Sequence, residues 1–311
     1  MSGSRGRPGS PSAGRARAAS EHQGRVAAGF LAFNSVGFML FTLIPVVFSI
    51  YLAFFDWPLG AGRPAFIGLH NFSSALGSFG FWQVVLNVIY FVGVYVPLNL
   101  VVSLGLALVL GPRSKIVKGK NLLRALFFIP VVVPVVASSL IWTALYASNG
   151  VFNEALGVLG LGPVGWLTSS AWALPAIIIM SVWLGFGYNM ILYIAGMTNI
   201  PESLYDAAAI DGAGPWKRFT SVTLPMISPV LFFGTLLTLI TSFQVFTRAF
   251  ILTDGGPGEA STTLVLEIYD QAFRYFRLGY ASAISVLLVV LMLIVTGAFF
   301  VLQRRWVYYE V

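Results

Sequence analysis

Six long stretches of the chain are dominated by apolar residues and are separated by shorter polar or charged segments. They lie near 29–55, 80–110, 122–147, 172–197, 226–252 and 279–303. A hydrocarbon core of ~30 Å takes about 20 helical residues to cross, so each stretch is long enough to span it. Backbone polar groups in lipid must be paired, and the alternating pattern of a barrel is absent from these stretches. The pattern predicts an all-α, polytopic membrane protein with six transmembrane helices.

The composition also indicates a chain that lies mostly in lipid. Apolar residues make up 58% of it, charged residues make up 9%, and the mean hydropathy is +0.86. In a soluble domain, so few charged residues would be too few to cover the surface. The chain has no cysteine, and its two histidines, His22 and His70, lie far apart. We therefore predict no disulfide, no thiol chemistry and no metal site.

Basic residues predict the orientation in the membrane. They cluster before the first span, between the second and third, in the loop after the fourth and after the last: Arg5, Arg7, Arg15, Arg17, Arg25, Arg113, Lys115, Lys118, Lys120, Arg124, Lys217, Arg218, Arg304 and Arg305. The positive-inside rule then predicts that both termini are cytoplasmic, with Arg63, Arg274 and Arg277 outside. The net charge of +7 reflects this topology and does not indicate nucleic-acid binding.

The chain divides into two parts of different composition. Residues 1–25 are rich in Gly, Ser, Pro, Ala and Arg and show no apolar periodicity, which predicts a disordered basic cytoplasmic tail. Residues 26–311 form the predicted transmembrane domain, with a cytoplasmic loop at about 199–225.

That loop contains a motif with fixed spacing. It reads Asp206-Ala207-Ala208, three residues, Gly212, nine residues, then Val222-Thr223-Leu224-Pro225. The spacing predicts a short helix of about 202–210, a turn at Gly212 with positive φ, and a second helix at the membrane surface. Alanines leave little side-chain bulk on such a helix, so a partner protein has room to grip it. The alternative is an ordinary amphipathic connector between two spans.

The motif resembles the cytoplasmic signature loop of the permease subunits of bacterial binding-protein-dependent ABC importers. That loop reads Glu-Ala-Ala, three residues, Gly, nine residues, Ile-x-Leu-Pro, so every spacing agrees, with Asp206 for the usual Glu and Val222 for the usual Ile. The resemblance covers about 38–305. Three flanking segments are similar to the carbohydrate-uptake branch, of the maltose and glycerol-3-phosphate type: Asn199-Ile200-Pro201, Ala209-Ile210-Asp211-Gly212-Ala213 and Thr253-Asp254-Gly255-Gly256-Pro257.

The resemblance implies a multi-pass permease of the bacterial plasma membrane that is not itself an enzyme. Its coupling residues are those of the signature loop: Leu204, Asp206, Ala207, Ala208, Gly212, Leu224 and Pro225. The implied partners are a second homologous permease subunit, a dimer of ATP-binding subunits, an extracytoplasmic solute-binding protein and membrane lipid. The chain has no phosphate-binding Gly-x-x-x-x-Gly-Lys-Ser/Thr loop, so we expect ATP and Mg²⁺ to bind the separate ATPase and no cofactor to bind this chain.

Polar residues within the spans are candidates for a sugar pathway. Thr241, Gln244 and Arg248 are spaced i, i+3 and i+7 in the fifth predicted span, which puts them on one helix face. Gln244 also matches a position that the resemblance associates with the pathway. Tyr188 and Asn189 offer a ring for stacking and an amide for hydrogen bonds to hydroxyls. The alternatives are interhelical hydrogen bonds for the amides and snorkelling to the outer interface for Arg248.

Two classes of transporter stay open at this point. No predicted span contains Asp, Glu or His, the groups that proton relays usually need. The absence favours a transporter that takes its energy from elsewhere over an ion-coupled secondary transporter. The resemblance implies that ATP is the source and that the solute is an oligosaccharide, polyol or glycerol-3-phosphate. A sodium site made of carbonyls and hydroxyls would escape the argument. The external turn at Gly255-Gly256-Pro257-Gly258 either receives a solute-binding protein, together with the aromatic segment after it, or precedes an interfacial helix.

Overall fold

The computed structural model describes residues 31–57, 64–114 and 116–308. It divides into two compact units, Met1–Leu52 and Ala53–Val311. The described part of the first unit is a single apolar helix, α1, Leu31–Leu52. The predicted tail, 1–25, lies outside the described residues.

The second unit is built from helices and one short hairpin. The hairpin pairs β1 (Phe55–Asp56) antiparallel with β2 (Ala65–Phe66). The helices are α2 (His70–Leu76), α3 (Phe79–Leu110), α4 (Lys120–Val132), α5 (Val135–Leu145), α6 (Val151–Val158), α7 (Ala173–Thr198), α8 (Glu202–Ile210), α9 (Pro215–Phe243), α10 (Thr247–Leu252), α11 (Leu264–Tyr269) and α12 (Leu278–Gln303). A π-helical turn, Asp270–Arg274, follows α11.

The predicted all-α membrane fold is confirmed. Among the described residues, α1, α3, α7, α9 and α12 are each long and apolar enough to cross a membrane. The pair α4 and α5 adds a sixth span when the two are counted together. The short hairpin and the short helices α2 and α6 were not predicted, because their sequences are too brief to show a period.

The third predicted span, 122–147, is not one straight helix. It consists of α4 and α5, which meet at an angle of 100°. Val133 between them is extended, with ψ 129°, and Pro134 follows it. Proline disfavours a helical conformation in the residue before it and lacks the N–H that a continuing helix needs, so the chain turns here.

The fifth predicted span, 226–252, is also wrong as a continuous helix. Helix α9 begins earlier, at Pro215, and ends at Phe243, and α10 begins at Thr247 after a break in which Phe246 has φ −127° and ψ −67°. Thr241 and Arg248 therefore belong to different helices, and Gln244 caps the first of them. The expected common helix face does not exist.

Helix α7 lies at the centre of the second unit. It packs against α3, α4 and α9. In its most apolar stretch of 18 residues, 56% is buried, compared with 11% in the corresponding stretch of α12. Its fully buried side chains include Ile177, Met180, Met190 and Tyr193. The outer face of α12 is apolar and exposed, with Leu293 at 66%, which suits contact with lipid. A movement of α7 would therefore displace the helices that pack against it.

Candidate functional site

The first part of the signature loop folds as its sequence predicts, but the expected second helix at the membrane surface is not a separate element, since the chain from Pro215 onward is the beginning of α9. Helix α8 begins after Pro201 and covers Glu202–Ile210, the expected range. Gly212 has φ 72°, which confirms the expected positive φ. Its N–H donates to the carbonyl of Ala209 at 3.1 Å, and the N–H of Ala213 donates to the carbonyl of Ala208 at 2.9 Å. These two bonds form a Schellman motif, which ends α8 sharply and fixes the direction of the chain after it.

A cluster of side chains fastens α8 to the helical bundle. The hydroxyl of Tyr205 lies 2.8 Å from that of Thr223, in the π-helical turn within α9. The guanidinium of Arg113 lies 4.1 Å from the centre of the Tyr205 ring. It also donates to the carbonyls of Met197 and Ile200, at 3.0 and 2.8 Å. Charge-assisted hydrogen bonds and a cation–π contact thus join α8 to the ends of α7 and α9.

Sequence reasoning missed this role of Arg113, which it treated only as a topological signal. Arg113 follows the end of α3 by three residues, and no motif surrounds it. We call Arg113, Tyr205 and Thr223 the coupling clamp. The same end of the bundle holds Lys120 and Arg124, whose side chains donate to the carbonyls of Gly111 and Leu110.

The free face of α8 is exposed and mostly apolar. Leu204, Asp206, Ala207 and Gly212 are exposed, and Ala208 is half-buried. An open groove is lined by Leu204, Ala207, Ala208 and Gly212 together with Lys217 and Val222. Two apolar side chains that sequence reasoning missed are exposed here as well, Ile210 at 88% and Trp216 at 75%. Leu224 and Pro225 are half-buried within α9, and Leu224 packs against the bundle core.

A buried polar network joins three helices near the middle of the bundle. The amide nitrogen of Asn189 on α7 donates to the amide oxygen of Asn99 on α3 at 2.7 Å, and to the hydroxyl of Thr238 on α9 at 2.9 Å. Asn189 is 4% exposed and Asn99 is fully buried. In this conformation Asn189 makes the interhelical bonds that the alternative interpretation expected. Its place in a solute pathway stays a prediction.

The other candidate pathway residues differ in exposure and in the helix that carries them. Tyr188, 46% exposed, adjoins Asn189 in α7, and Thr241 lies one turn after Thr238 in α9. Gln244 is exposed at the end of α9. Arg248, in α10, is half-buried, and its guanidinium lies beside the hydroxyl of the buried Tyr95.

The helix break near Gln244 depends on a residue distant in the sequence. The hydroxyl of Thr263 donates to the carbonyl of Val245 at 2.7 Å, and Thr263 is 1% exposed. The bond satisfies an acceptor that the end of α9 leaves without a helical partner. The loop that carries Thr263 is itself held by Asn87 on α3, which donates to the carbonyls of Glu259 and Thr262.

The glycine-proline turn is fastened by ion pairs. Arg274 contacts the carboxylate of Asp254 at 2.8 Å and that of Asp270 at 3.2 Å, and its guanidinium lies 5.5 Å from the centre of the Phe250 ring. Burial raises the pKa of the Asp270 carboxyl, and the positive charge of Arg274 opposes that rise. These contacts tie the turn to the segment after α11.

We expect Asn189 and Thr238 to be energetically coupled. In a double-mutant cycle of Asn189→Ala and Thr238→Val, unfolding in detergent should give a coupling energy of about 0.6 kcal/mol, and at most about 1.7 kcal/mol, as for other polar pairs in membrane helices.

Thr198 offers a control for this cycle. It lies on α7 near the coupling clamp, and its hydroxyl bonds only to the carbonyl of Ile194 in the described structure. Asn189→Ala and Thr198→Val should be additive. Additivity of Asn189→Ala and Thr238→Val as well would show that the observed bond contributes no stability.

Comparison with known families gives one match over most of the second unit. The family described as "Binding-protein-dependent transport system inner membrane component" matches residues 103–308. The match includes the signature loop, the coupling clamp and the three helices α7, α9 and α12.

Curated relatives match nearly the whole chain. A probable ABC transporter permease of Bacillus subtilis, YesP, is 34% identical over 90% of this chain and 91% of its own length. The trehalose/maltose transport system permease MalF of Thermococcus litoralis is 37% identical over 82% and 85%. The lactose transport system permease LacF of Rhizobium radiobacter is 34% identical over 86% and 90%.

A solved structure has the same fold. A chain of a bacterial ABC transporter involved in the import of the acidic polysaccharide alginate superimposes with a TM-score of 0.80, with 23% sequence identity. The superposition covers 91% of this chain and 96% of that one.

Proposed function

This chain belongs to the family of binding-protein-dependent transport system inner membrane components, and we propose that it is a transmembrane subunit of an ATP-driven importer for an oligosaccharide, polyol or glycerol-3-phosphate. The observation that supports coupling to an ATPase most directly is the preformed loop, with α8 ended by Gly212 and fastened by the coupling clamp. The printed functions of the relatives, trehalose/maltose and lactose transport, support the carbohydrate class.

The transporter divides its tasks among several chains. This subunit supplies half of the pathway, and a second homologous permease supplies the other half. Two ATP-binding subunits hold ATP and Mg²⁺, and an extracytoplasmic protein delivers the solute. The alginate transporter was solved in complex with a periplasmic protein carrying an alginate pentasaccharide, which supports a partner of that kind.

Helix α8 is the element that meets the ATPase. Its exposed face presents Leu204, Ala207 and Ile210, and small or apolar side chains of this kind suit a helix lying in a groove. Asp206 is exposed on the same helix and would pair with a basic residue of the partner. Trp216, beyond the turn, adds an aromatic anchor of the type that dominates binding energy at interfaces.

The coupling clamp makes α8 a lever. Closure of the ATPase pair on ATP would displace α8, and Arg113 and Tyr205 would pass that displacement to the ends of α7 and α9. Further along, the same two helices are joined again by the Asn189–Thr238 hydrogen bond. They would therefore move together, and the neighbouring Tyr188 and Thr241 would move with them.

The solute is bound by exposed polar and aromatic groups beside the polar network. The ring of Tyr188 would stack on a sugar face, while Thr241 and Gln244 would bond to hydroxyls. Arg248 would act indirectly, since its guanidinium lies against Tyr95. An ion-coupled secondary transporter is the competing function, and family membership does not favour it.

We expect Gly212→Val to stop ATP-driven solute uptake by the reconstituted transporter. Valine at φ 72° is strained by about 1–3 kcal/mol, so the Schellman turn would open and α8 would lose its fixed direction. Uptake into proteoliposomes should fall about tenfold or more, with the subunit still inserted in the membrane.

Gly214→Val is the matched control. Gly214 is extended, with φ −69° and ψ 173°, and neither glycine has a neighbouring atom that an added Cβ would strike. Gly214→Val should transport like the unmodified chain. Normal uptake by Gly212→Val would reject the coupling role, and uptake by this chain alone under a sodium or proton gradient would establish the competing function.

We expect Arg113→Gln to uncouple ATP hydrolysis from transport. Loss of two charge-assisted bonds and the ring contact would free α8 from the end of α7 and leave the Tyr205–Thr223 bond as its remaining clamp contact, to α9. Uptake should therefore fall about tenfold while basal ATP hydrolysis continues. Uptake and phosphate release are measured on the same vesicles.

Two further variants separate geometry from charge. Lys118→Gln removes an exposed positive charge from the same loop and should transport normally. Arg113→Lys keeps the charge but loses the forked geometry, so it should be intermediate. Equal defects in Arg113→Gln and Lys118→Gln would mean that only the net charge of the loop matters.

We expect Thr241→Val and Gln244→Leu to raise the KM for solute uptake about tenfold each, because each removes a hydrogen bond to the solute. Thr198→Val is matched to Thr241→Val, since both hydroxyls bond one turn back along their helix at 2.9 Å. Thr198→Val should leave KM unchanged. An unchanged KM in both pathway variants, at saturating ATP and binding protein, would remove these residues from the pathway.

A further inference from the structure

A polar pocket of about 570 Å³ lies at the end of the bundle opposite to α8. It is formed by β1, by α2 and by the first residues of α3 and α12. Helix α3 runs from the pocket, at Ser78, to the coupling end at Leu110, and its 32 residues span about 48 Å. With the signature loop inside the cell, the pocket faces the outside.

Two opposite charges line this pocket without pairing. Asp56 and Arg277 are both exposed, and neither forms a salt bridge with a residue that the structure describes. The nearby Arg274, by contrast, already has two carboxylate partners. The Arg277 guanidinium lies 5.7 Å from the centre of the Tyr280 ring, which leaves its charge without a carboxylate partner among the described residues. Charges placed in this way can complement those of a partner protein.

The walls of the pocket are fixed by buried contacts. The amide of Asn71, 7% exposed, donates to the carbonyls of Ala53 and Phe55 at 3.0 Å each. Helix α12 approaches the same strand so closely that a Cβ on Gly279 would lie 1.9 Å from the carbonyl oxygen of Phe55. A preformed pocket loses little conformational entropy when a partner enters it.

Exposed aromatic side chains adjoin lining residues in the sequence: Phe66 precedes Ile67, and Tyr275 and Phe276 precede Arg277. Phe66 is 71% exposed, Tyr275 63% and Phe276 53%. Phe276 has φ 57°, and the N–H of the next residue, Arg277, donates to the carbonyl of Gln271 at 2.7 Å, so a hydrogen-bonded backbone holds this segment. Tyrosine and arginine are enriched at the residues that contribute most to protein–protein binding.

The pocket is distinct from the proposed solute pathway. Tyr188, Thr241 and Gln244 lie on α7 and α9, and none of them lines it. Its open mouth and its two unpaired opposite charges suit protruding side chains of a protein better than an enclosed sugar.

We propose that this pocket is a docking socket for the extracytoplasmic solute-binding protein. Arg277 receives an acidic side chain of that protein, Asp56 receives a basic one, and the exposed aromatic side chains of the neighbouring residues pack against its surface. The inference rests on the proposed function, because it identifies the surface that the delivering partner uses.

The test is binding of the purified cognate solute-binding protein to the whole transporter in nanodiscs. Asp56→Arg and Arg277→Glu should each raise Kd about tenfold at low salt, because each places like charges together. The difference from the unmodified transporter should shrink in 0.5 M NaCl, where screening is strong. Basal ATP hydrolysis should be unchanged, and its stimulation by the binding protein should need correspondingly more of that protein.

Glu154→Arg is the matched control. Glu154 is exposed on α6, which the topology also puts outside, and it does not line the pocket. Its reversal should leave Kd within about twofold of the unmodified value. A similar Kd for Glu154→Arg and the two pocket variants would overturn the proposal, whether all three rise or none does. Should a reversed variant fail to assemble, Asp56→Asn and Arg277→Gln replace it, with a smaller expected increase of about threefold.

Failure of this proposal is distinguishable from failure of the proposed function. If the unmodified transporter shows ATP-driven uptake and the pocket variants bind the solute-binding protein normally, only the docking socket is rejected. Absence of ATP-driven uptake by the unmodified transporter would reject the function itself.

Discussion

The constraint on which this structure depends is that backbone carbonyls at helix ends and breaks need hydrogen-bond donors where water is scarce. Three groups of side chains meet that need at critical places. Arg113 donates to the end of α7, Lys120 and Arg124 donate to the end of α3, and Thr263 donates to the carbonyl of Val245 after α9. Each donor comes from a different part of the chain than its acceptor, so satisfying the carbonyls also fastens the helices to one another.

The same contacts connect the two ends of the proposed machine. The coupling clamp holds α8 to α7 and α9, and the bond between Asn189 and Thr238 joins those two helices again further along. A helix pair fastened at two levels resists shear, so under the proposed function a push on α8 would move the pair as a unit. The residues proposed to bind solute stand beside the second fastening.

The sequence predicted the helices and the signature loop well, because both depend on local chemistry. Apolar runs specify spans, and the bounds of α8 and the positive φ of Gly212 follow from motif spacing. The break after Phe243 was not predictable, since neither Gly nor Pro occurs there and Thr263, which supports it, is 18 residues away from Val245. The bend at Pro134 had a local signal, which the hydropathy of the whole stretch outweighed.

The count of basic residues that predicts membrane topology could not reveal the coupling clamp. The positive-inside rule counts Arg113, Lys120 and Arg124 equally, yet each binds a particular carbonyl at a C-terminal helix end. Helices α3 and α7 both end at the coupling side, where the negative ends of their dipoles attract cations. Helix α9 begins there instead, and its Arg218 donates to the carbonyl of Ala213, supporting the turn after α8. The charges predicted to orient the chain in the membrane thus also support the proposed coupling surface.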